Sequence, residues 1–120
     1  MKAKTDHSAS PGDELLRALS ALANPHRLRI VAALAGGRNY VSGLAREIGI
    51  SRPLLHMHLQ RLEAARLVSG NLELSEDGKA MKYFEVTSFA LALTPETVAE
   101  AARTLSAEPP GGQRGREQQQ

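Results

Sequence analysis

The sequence predicts a mainly α-helical chain with one small β-hairpin, in which two of the helices form a helix-turn-helix. Apolar residues recur at helical spacing in five segments, and only about three residues, including a glycine, separate the third segment from the fourth. After the fourth segment the period changes from helical to alternating, on either side of an Asp-Gly turn. The predicted order is therefore four helices, two strands and a final helix.

The first two helices begin with the same signal, a capping residue followed directly by proline. Ser10-Pro11 starts a helix that is expected to end near Ala23. Asn24-Pro25 starts the second helix, and Gly36-Gly37 ends it. The second helix is apolar over a wide arc, which predicts a central position in the fold.

A short strand, a third helix and a glycine turn are predicted next. Residues 38–41 fit a small strand, and Ser42 is the expected cap of a helix that ends at Gly49. The fourth helix extends from Ser51 to Arg66, with Ser51 as its cap. One side of this helix has leucines at i, i+4 and i+7, which predicts that this side is buried. These leucines are Leu55, Leu59 and Leu62.

The opposite side of the fourth helix is polar, and no carboxylate interrupts it before Glu63. A helix face that approaches phosphates and base edges requires this character. We therefore expect this side, with its flank, to lie against duplex DNA. Its residues are Arg52, Pro53, His56, Met57, Gln60 and Ala64.

The hairpin follows Arg66, with alternating residues at 72–74 and 81–86 around the turn at 75–79. Lys79 and Lys82 are candidates for contacts with backbone phosphates. Glu76 and Asp77 at the tip of the hairpin would repel phosphates, so we expect the hairpin to contribute modestly to DNA binding.

The last helix starts at Thr94-Pro95, the third cap-and-proline signal, and is expected to end near Ser106. Residues 1–9 lack periodicity and residues 107–120 have low complexity, so both tails are predicted to be disordered. The prediction is therefore one domain, residues 10–106, that binds DNA and dimerises.

Composition excludes several classes of protein. The 120 residues include no cysteine, which excludes disulfides and thiolate metal sites. No apolar run approaches the ~20 residues of a membrane span, and no signal peptide is recognisable, so we expect a cytoplasmic protein without membrane contact. There is no glycine-rich phosphate loop and no catalytic cluster, so we expect that the protein is not an enzyme. The net charge is only +2, so DNA binding must depend on where the charges lie.

Two segments resemble the ArsR/SmtB family of winged helix-turn-helix transcriptional regulators. They are LANPHRLRI at residues 22–30 and the pattern S-x-P-x-L-x-x-H-L-x-x-L that begins at Ser51. The resemblance covers roughly residues 15–105 and implies a homodimer with the first and last helices at the interface. Two copies of the fourth helix would then enter successive major grooves of a palindromic operator. The apolar residues of the first helix and of 88–105 exceed what a three-helix core can cover, which agrees with a dimer.

The outward side of the fourth helix and the hairpin supply the predicted DNA-binding residues. Arg52 suits a phosphate or a guanine edge, and Gln60 suits adenine or phosphate. For His56, a DNA contact and simple exposure are equally good interpretations. His58 matches the common histidine of the family, and we expect it to pack and to form a hydrogen bond. The full set is Ser51, Arg52, Pro53, His56, Met57, Gln60, Lys79 and Lys82.

The usual effector of the family is a metal ion, but the ligand positions differ in this chain. Residues 39–42, which match a cysteine site of the family, read Asn-Tyr-Val-Ser, and residues 94–106 contain no His and no Asp. The remaining candidates are Asp6, His7 and His26, which would suit weakly bound Ni(II) or Zn(II). Two alternatives stay open: none of these residues binds metal, or a partner protein performs the sensing and this chain is its winged-helix interaction subunit.

Overall fold

The structure of the protein, a computed structural model, describes residues 10–106. The predicted disordered tails, residues 1–9 and 107–120, lie outside the described residues, so the predicted division of the chain stays a prediction. The described residues form two compact units. The first contains residues 10–19 and 90–106, and the second contains Ser20–Phe89.

Five helices and three strands make up the described part of the chain, in the predicted order. The helices are α1 (Pro11–Leu22), α2 (Pro25–Ala35), α3 (Val41–Ile48), α4 (Arg52–Ala64) and α5 (Pro95–Ala102). The strands are β1 (Asn39–Tyr40), β2 (Val68–Leu74) and β3 (Ala80–Val86), and they form an antiparallel sheet in the order β1-β3-β2. The predicted fold class, mainly α with a small hairpin, is confirmed. No helix in residues 10–106 is long and apolar enough to cross a membrane.

The helix starts predicted from cap-and-proline signals are confirmed by their hydrogen bonds. The Asn24 side chain accepts from the backbone N–H of His26 at 2.8 Å. The backbone N–H of Thr97 donates to the Thr94 hydroxyl at 3.1 Å, and the Thr97 side chain bonds the Thr94 backbone in return. Such caps satisfy amide groups that would otherwise lack a partner in the first helical turn.

Four boundaries differ from the predictions, the first being the end of α4, which lies at Ala64 and not at Arg66. The predicted cap at Ser42 is wrong: α3 begins at Val41, directly after β1, and its cap residue Tyr40 forms no side-chain cap hydrogen bond. Strand β2 begins at Val68, earlier than the alternating segment; Val68 is buried, and the two residues after it are half-buried. Helix α5 ends at Ala102, before the predicted end near Ser106.

The second unit is built around α3 and α4, which residues 49–51 connect. Gly49 adopts the predicted left-handed conformation, with φ 84°, and its N–H donates to the carbonyl oxygen of Ala45 at 2.8 Å. The leucine seam of α4, defined as Leu55, Leu59 and Leu62, is at most 1% exposed. Each buried leucine contributes roughly 1.5–3 kcal/mol relative to an exposed one, so the seam holds α4 on the body of the unit. The other buried apolar residues of this unit are Ala21, Ile30, Leu34, Leu44, Ala45, Leu67, Val68 and Phe84.

The first unit pairs the start of α1 with α5. The backbone N–H of Gly12 donates to the Thr104 hydroxyl at 2.7 Å, and the N–H of Ser106 donates to the buried carboxylate of Asp13 at 3.0 Å. Between the two segments lies an open apolar groove of about 140 Å³. The groove is lined by Gly12, Leu15, Leu16, Leu19, Val98, Ala101, Ala102 and Leu105.

Arg66 has an unusual backbone conformation, with φ 65°, at the point where the chain leaves α4 and turns toward β2. A side chain with a Cβ is strained in this region, whereas glycine adopts it freely. We expect Arg66→Gly to raise the free energy of unfolding by about 0.5–1 kcal/mol, after the entropy cost of glycine is included. The matched control, Arg29→Gly at an exposed position inside α2, should lower it by about 1 kcal/mol. Urea denaturation of the wild type, R66G and R29G measures both changes. A loss of stability in R66G would contradict backbone strain at Arg66.

Candidate DNA-binding surface

The side of α4 opposite the leucine seam is exposed to solvent. We define the outer face as Arg52, Pro53, His56, Met57 and Gln60, all of which are exposed. Met57, the apolar member, is 43% exposed. Burial of these residues within the chain would have excluded them from DNA. The structure brings these predicted residues to one side of one helix, and their contacts with DNA stay a prediction.

The outer face begins at an electropositive helix end. The Ser51 hydroxyl accepts from the backbone N–H of Leu54 at 3.3 Å, which confirms its predicted role as the cap. Arg52 and Pro53 lie in the first turn, and that turn contains no carboxylate. The free N–H groups and the dipole of a helix favour a negative charge at its N-terminus, and Arg52 adds a full positive charge there. This end of α4 therefore suits a phosphate.

The two predicted lysines of the β2–β3 hairpin are both exposed but differ in their surroundings. Lys79 lies in the turn at the tip, where its backbone N–H donates to the Ser75 hydroxyl at 3.1 Å. The Lys82 ammonium lies 5.3 Å from the centre of the Phe84 ring, on the body of the hairpin. The hydrogen bond from Ser75 lowers the pKa of Asp77, so the tip keeps a negative charge near Lys79. This arrangement agrees with a modest contribution from the hairpin.

The hairpin also exposes two leucines. Leu72 and Leu74 of β2 are 71% and 75% exposed. They lie on the same side of the sheet as Phe84, which is closer to the core and buried. In the β2–β3 register they lie opposite Lys82 and Ala80. Alternation predicted a strand here, but Leu72 and Leu74 are not buried because the hairpin extends beyond the core.

Arg38 is a further cation beside the hairpin, and no sequence signal marked it. Its guanidinium bonds both carboxylate oxygens of Glu73, with Nη2 at 3.0 Å from Oε1, and its Cζ lies 4.4 Å from the centre of the Tyr83 ring. The hydrogen bond from Arg38 lowers the pKa of Glu73, so the pair stays ionised and neutralises itself. Arg38 therefore links the start of β1 to the hairpin instead of adding positive charge for DNA.

His58 is buried on the inner side of α4, with 4% of its surface exposed. Its Nδ1 lies 3.0 Å from Nη1 of Arg27, and the Nε of Arg27 donates to the carbonyl oxygen of Ala21 at 2.6 Å. Because arginine can only donate, His58 Nδ1 accepts and the proton of the neutral ring lies on Nε2. The predicted packing and hydrogen-bonding role of His58 is confirmed. The sequence offered no signal for its partner, Arg27, which an amphipathic pattern places among solvated residues.

The surroundings of His58 predict a loss of stability in acid. Burial lowers its pKa from 6.5, and the charges of Arg27, His26 and Arg61 lower it further. The unfolded chain thus binds the proton more tightly, so stability is complete above pH 6.5 and falls as the pH decreases from there toward the folded pKa. We expect a lower urea midpoint at about pH 5.5 than at about pH 7.5 in the wild type, and a smaller difference in His58→Asn. Equal pH dependence of the two proteins would contradict this assignment.

Of the predicted metal ligands, only His26 belongs to the described residues. Its ring centre lies 5.4 Å from that of His58, and its Nδ1 is buried without a hydrogen-bond partner in residues 10–106. Asp6 and His7 lie outside the described residues. The described part of the chain contains no group of three or more side chains arranged to hold a metal ion. Binding of Ni(II) or Zn(II) stays a prediction.

Helices α3 and α4 form a helix-turn-helix with a hairpin beside it, and α4 has an exposed polar side. These features define a winged helix-turn-helix DNA-binding protein. The family model described as "Bacterial regulatory protein, arsR family" matches residues 24–69, from the cap of α2 into β2. An HTH-type transcriptional regulator from Methanocaldococcus jannaschii is 33% identical over 78 residues, which are 65% of this chain and 81% of that protein. The chain belongs to the ArsR family of bacterial regulatory proteins.

Solved structures share the fold. The homodimeric winged helix-turn-helix DNA-binding domain of a Mycobacterium bovis protein is 28% identical, with a TM-score of 0.56 over 76% of this chain and 74% of that one. NolR from Sinorhizobium fredii is 26% identical, with a TM-score of 0.55 over 86% of this chain and 89% of that one. Family membership makes this chain a DNA-binding transcriptional regulator and not an enzyme, as the sequence predicted. The β2–β3 hairpin is its wing.

Proposed function

We propose that the chain acts in the cytoplasm as a homodimer that binds a palindromic operator with the outer face of α4. The proposal rests on one observation, the contrast between the two sides of this helix. The leucine seam is at most 1% exposed, whereas the outer face is exposed and has no carboxylate in its first turn. A helix held firmly on one side can enter the major groove without a rearrangement of its own unit.

The chemistry of the outer face divides the work among its residues. Arg52 is suited to a bidentate bond with guanine or to a phosphate, and Gln60 to a bidentate bond with adenine. Each such pair contributes roughly 1–3 kcal/mol of discrimination against the wrong base. Met57 offers an apolar contact for a thymine methyl group, and His56 a further hydrogen bond. Ser51 and Pro53 lie at the helix start, close to the phosphate that this end favours.

The first unit supports the dimer. Its groove is apolar, and Leu16, Val98 and Leu105 at its walls are 39%, 47% and 44% exposed. A second copy seated on this surface would remove these side chains from water, which favours association. The related M. bovis domain is homodimeric. A two-fold arrangement of this kind would place the half-sites about one helical turn, roughly 34–36 Å, apart.

Selection of duplexes from a random pool, followed by fluorescence anisotropy with the selected and scrambled sequences, tests the proposal. We expect an imperfect palindrome, two chains per duplex and an affinity that falls steeply as salt rises. Light scattering should give twice the 12.9 kDa mass of the chain at micromolar concentration. A monomer under these conditions, or equal affinity for scrambled DNA, would refute the proposal.

The regulatory input is part of the same proposal. We infer that weak binding of Ni(II) or Zn(II), with Asp6, His7 or His26 among the ligands, modulates operator affinity. Calorimetric titration of the wild type and His7→Ala measures the binding, and anisotropy with and without metal measures its effect on DNA. Metal binding without a change in operator affinity would favour the alternative, in which a partner protein performs the sensing.

A further inference from the structure

The contact between Arg27 and His58 joins α2, α4 and the last turn of α1 at one buried point of the second unit. Arg27 lies on α2, His58 lies on α4, and Ala21, whose carbonyl oxygen Arg27 also bonds, lies in the last turn of α1. Arg27 is 8% exposed and His58 4%. Two polar side chains are therefore more than nine-tenths buried at this point.

The Arg27 guanidinium depends on neutral acceptors. Within residues 10–106 no carboxylate forms an ion pair with it. A buried charge without an opposite charge is stable only when hydrogen bonds replace those it made with water. The Ala21 carbonyl and the His58 ring supply such bonds at 2.6 and 3.0 Å. Arg27 therefore holds its two acceptors in definite positions.

The leucine seam alone does not determine the orientation of α4. Apolar contacts are non-directional, so they oppose removal of the helix more strongly than a small rotation about its axis. A hydrogen bond weakens steeply when its distance or angle changes. The bond to Arg27 joins α4 at His58, next to Met57 and two residues before Gln60. It is thus a directional contact with the same turn of helix that presents the centre of the outer face.

We propose that Arg27 is a positioning residue for operator recognition. Through its bond to His58 it determines the rotation of α4 about the helix axis, and so the register in which the outer face meets the base edges. The inference rests on the proposed role of α4 in reading DNA. It assigns a function to a residue that itself lies away from the outer face.

Two substitutions of His58 separate its hydrogen bond from its packing. His58→Asn carries an oxygen near the position of Nδ1 and keeps an acceptor, whereas His58→Leu fills similar space without one. We expect H58L to lower operator affinity about tenfold or more, because it leaves the guanidinium unsatisfied, and H58N to stay within about threefold of wild type. Affinity for a scrambled duplex should be similar in all three proteins, since phosphate contacts tolerate a small rotation. Circular dichroism establishes that each protein is folded at the temperature of the measurement.

Substitutions of Arg27 test the other side of the contact. Arg27→Met should reproduce the loss of operator affinity in H58L, and the double variant should lose little more than either single variant, because both remove one interaction. Arg27→Lys keeps the charge but cannot reach both acceptors, so it should also lose operator affinity. It serves as the second variant should H58L fail to fold.

Amide hydrogen exchange tests the contact without DNA. In H58L, exchange across residues 52–64 should be faster than in H58N, whereas exchange in β3 should not change. If the wild type binds operator and scrambled duplexes equally well, the proposed function fails. The exchange measurement then tests the Arg27–His58 contact by itself. Equal operator affinity of folded H58L and H58N, an equal loss for operator and scrambled DNA, or equal exchange in α4 would overturn the inference.

Discussion

Simultaneous replacement of Arg52, Met57 and Gln60 by alanine should abolish operator-specific binding and leave the fold intact. All three side chains are exposed on the outer face, so their removal creates no cavity. Alanine also favours the helix at least as strongly as the residues it replaces. Two bidentate base contacts at roughly 1–3 kcal/mol each correspond to a loss of about thirtyfold or more in operator affinity.

Fluorescence anisotropy at constant salt measures this loss, and urea denaturation checks the fold. Arg17→Ala is the matched control, since it removes the same charge from an exposed position on α1. The control should bind the operator nearly as well as the wild type. Wild-type affinity in the triple variant would refute the assignment of α4 as the helix that contacts the bases.

Gly12→Ala should produce the largest loss of stability. A Cβ at this position would lie 2.1 Å from the carbonyl oxygen of Ala101 and 2.9 Å from the Thr104 hydroxyl. The first of these atoms belongs to the backbone of α5, so the helix itself must move. That movement breaks the hydrogen bond from Gly12 to Thr104 and disturbs the apolar groove. We expect a decrease of about 2–3 kcal/mol in the free energy of unfolding, despite the higher helix propensity of alanine.

Gly36→Ala provides the control for this substitution. The nearest atom to a Cβ there is the Ala33 carbonyl oxygen at 3.5 Å, an ordinary contact, and the backbone is right-handed. Its stability should stay within about 0.5 kcal/mol of wild type. Because the groove is the proposed dimer surface, G12A should also weaken the dimer in light scattering. Wild-type stability in G12A would show that the two segments are not closely packed.

Part of the fold was predictable because its signals are local. The proline signals at Asn24 and Thr94 and the left-handed Gly49 each act within one helical turn, and all three are confirmed. The leucine seam was predictable for a related reason, since residues at i, i+4 and i+7 share one side of any helix. The failure at Ser42 has the opposite cause. Strand β1 pairs with β3 further along the chain, across 45 residues at Asn39↔Phe84 and 43 at Tyr40↔Tyr83, and α3 begins where that pairing ends.

The exposed side of α4 was predictable for the same reason, because its signal is also local. Periodicity placed Arg52, Met57 and Gln60 on the exposed side of α4 because the seam defines the opposite side. The wing was less predictable, since alternation indicates a strand but not how far the strand extends past the core. Leu72 and Leu74 alternate as buried residues do, yet they are exposed.

The sequence by itself determined where the helices begin, which side of α4 is buried and which family the chain resembles, because these features depend on neighbours within a few residues. The tertiary structure alone decided the partners of Arg27 and Arg38. Arg27 meets His58 across 31 residues and Arg38 meets Glu73 across 35. From the sequence alone, every carboxylate and every ring is an equally good partner for an arginine. Only the packing of the helices and strands brings one particular acceptor within hydrogen-bonding distance.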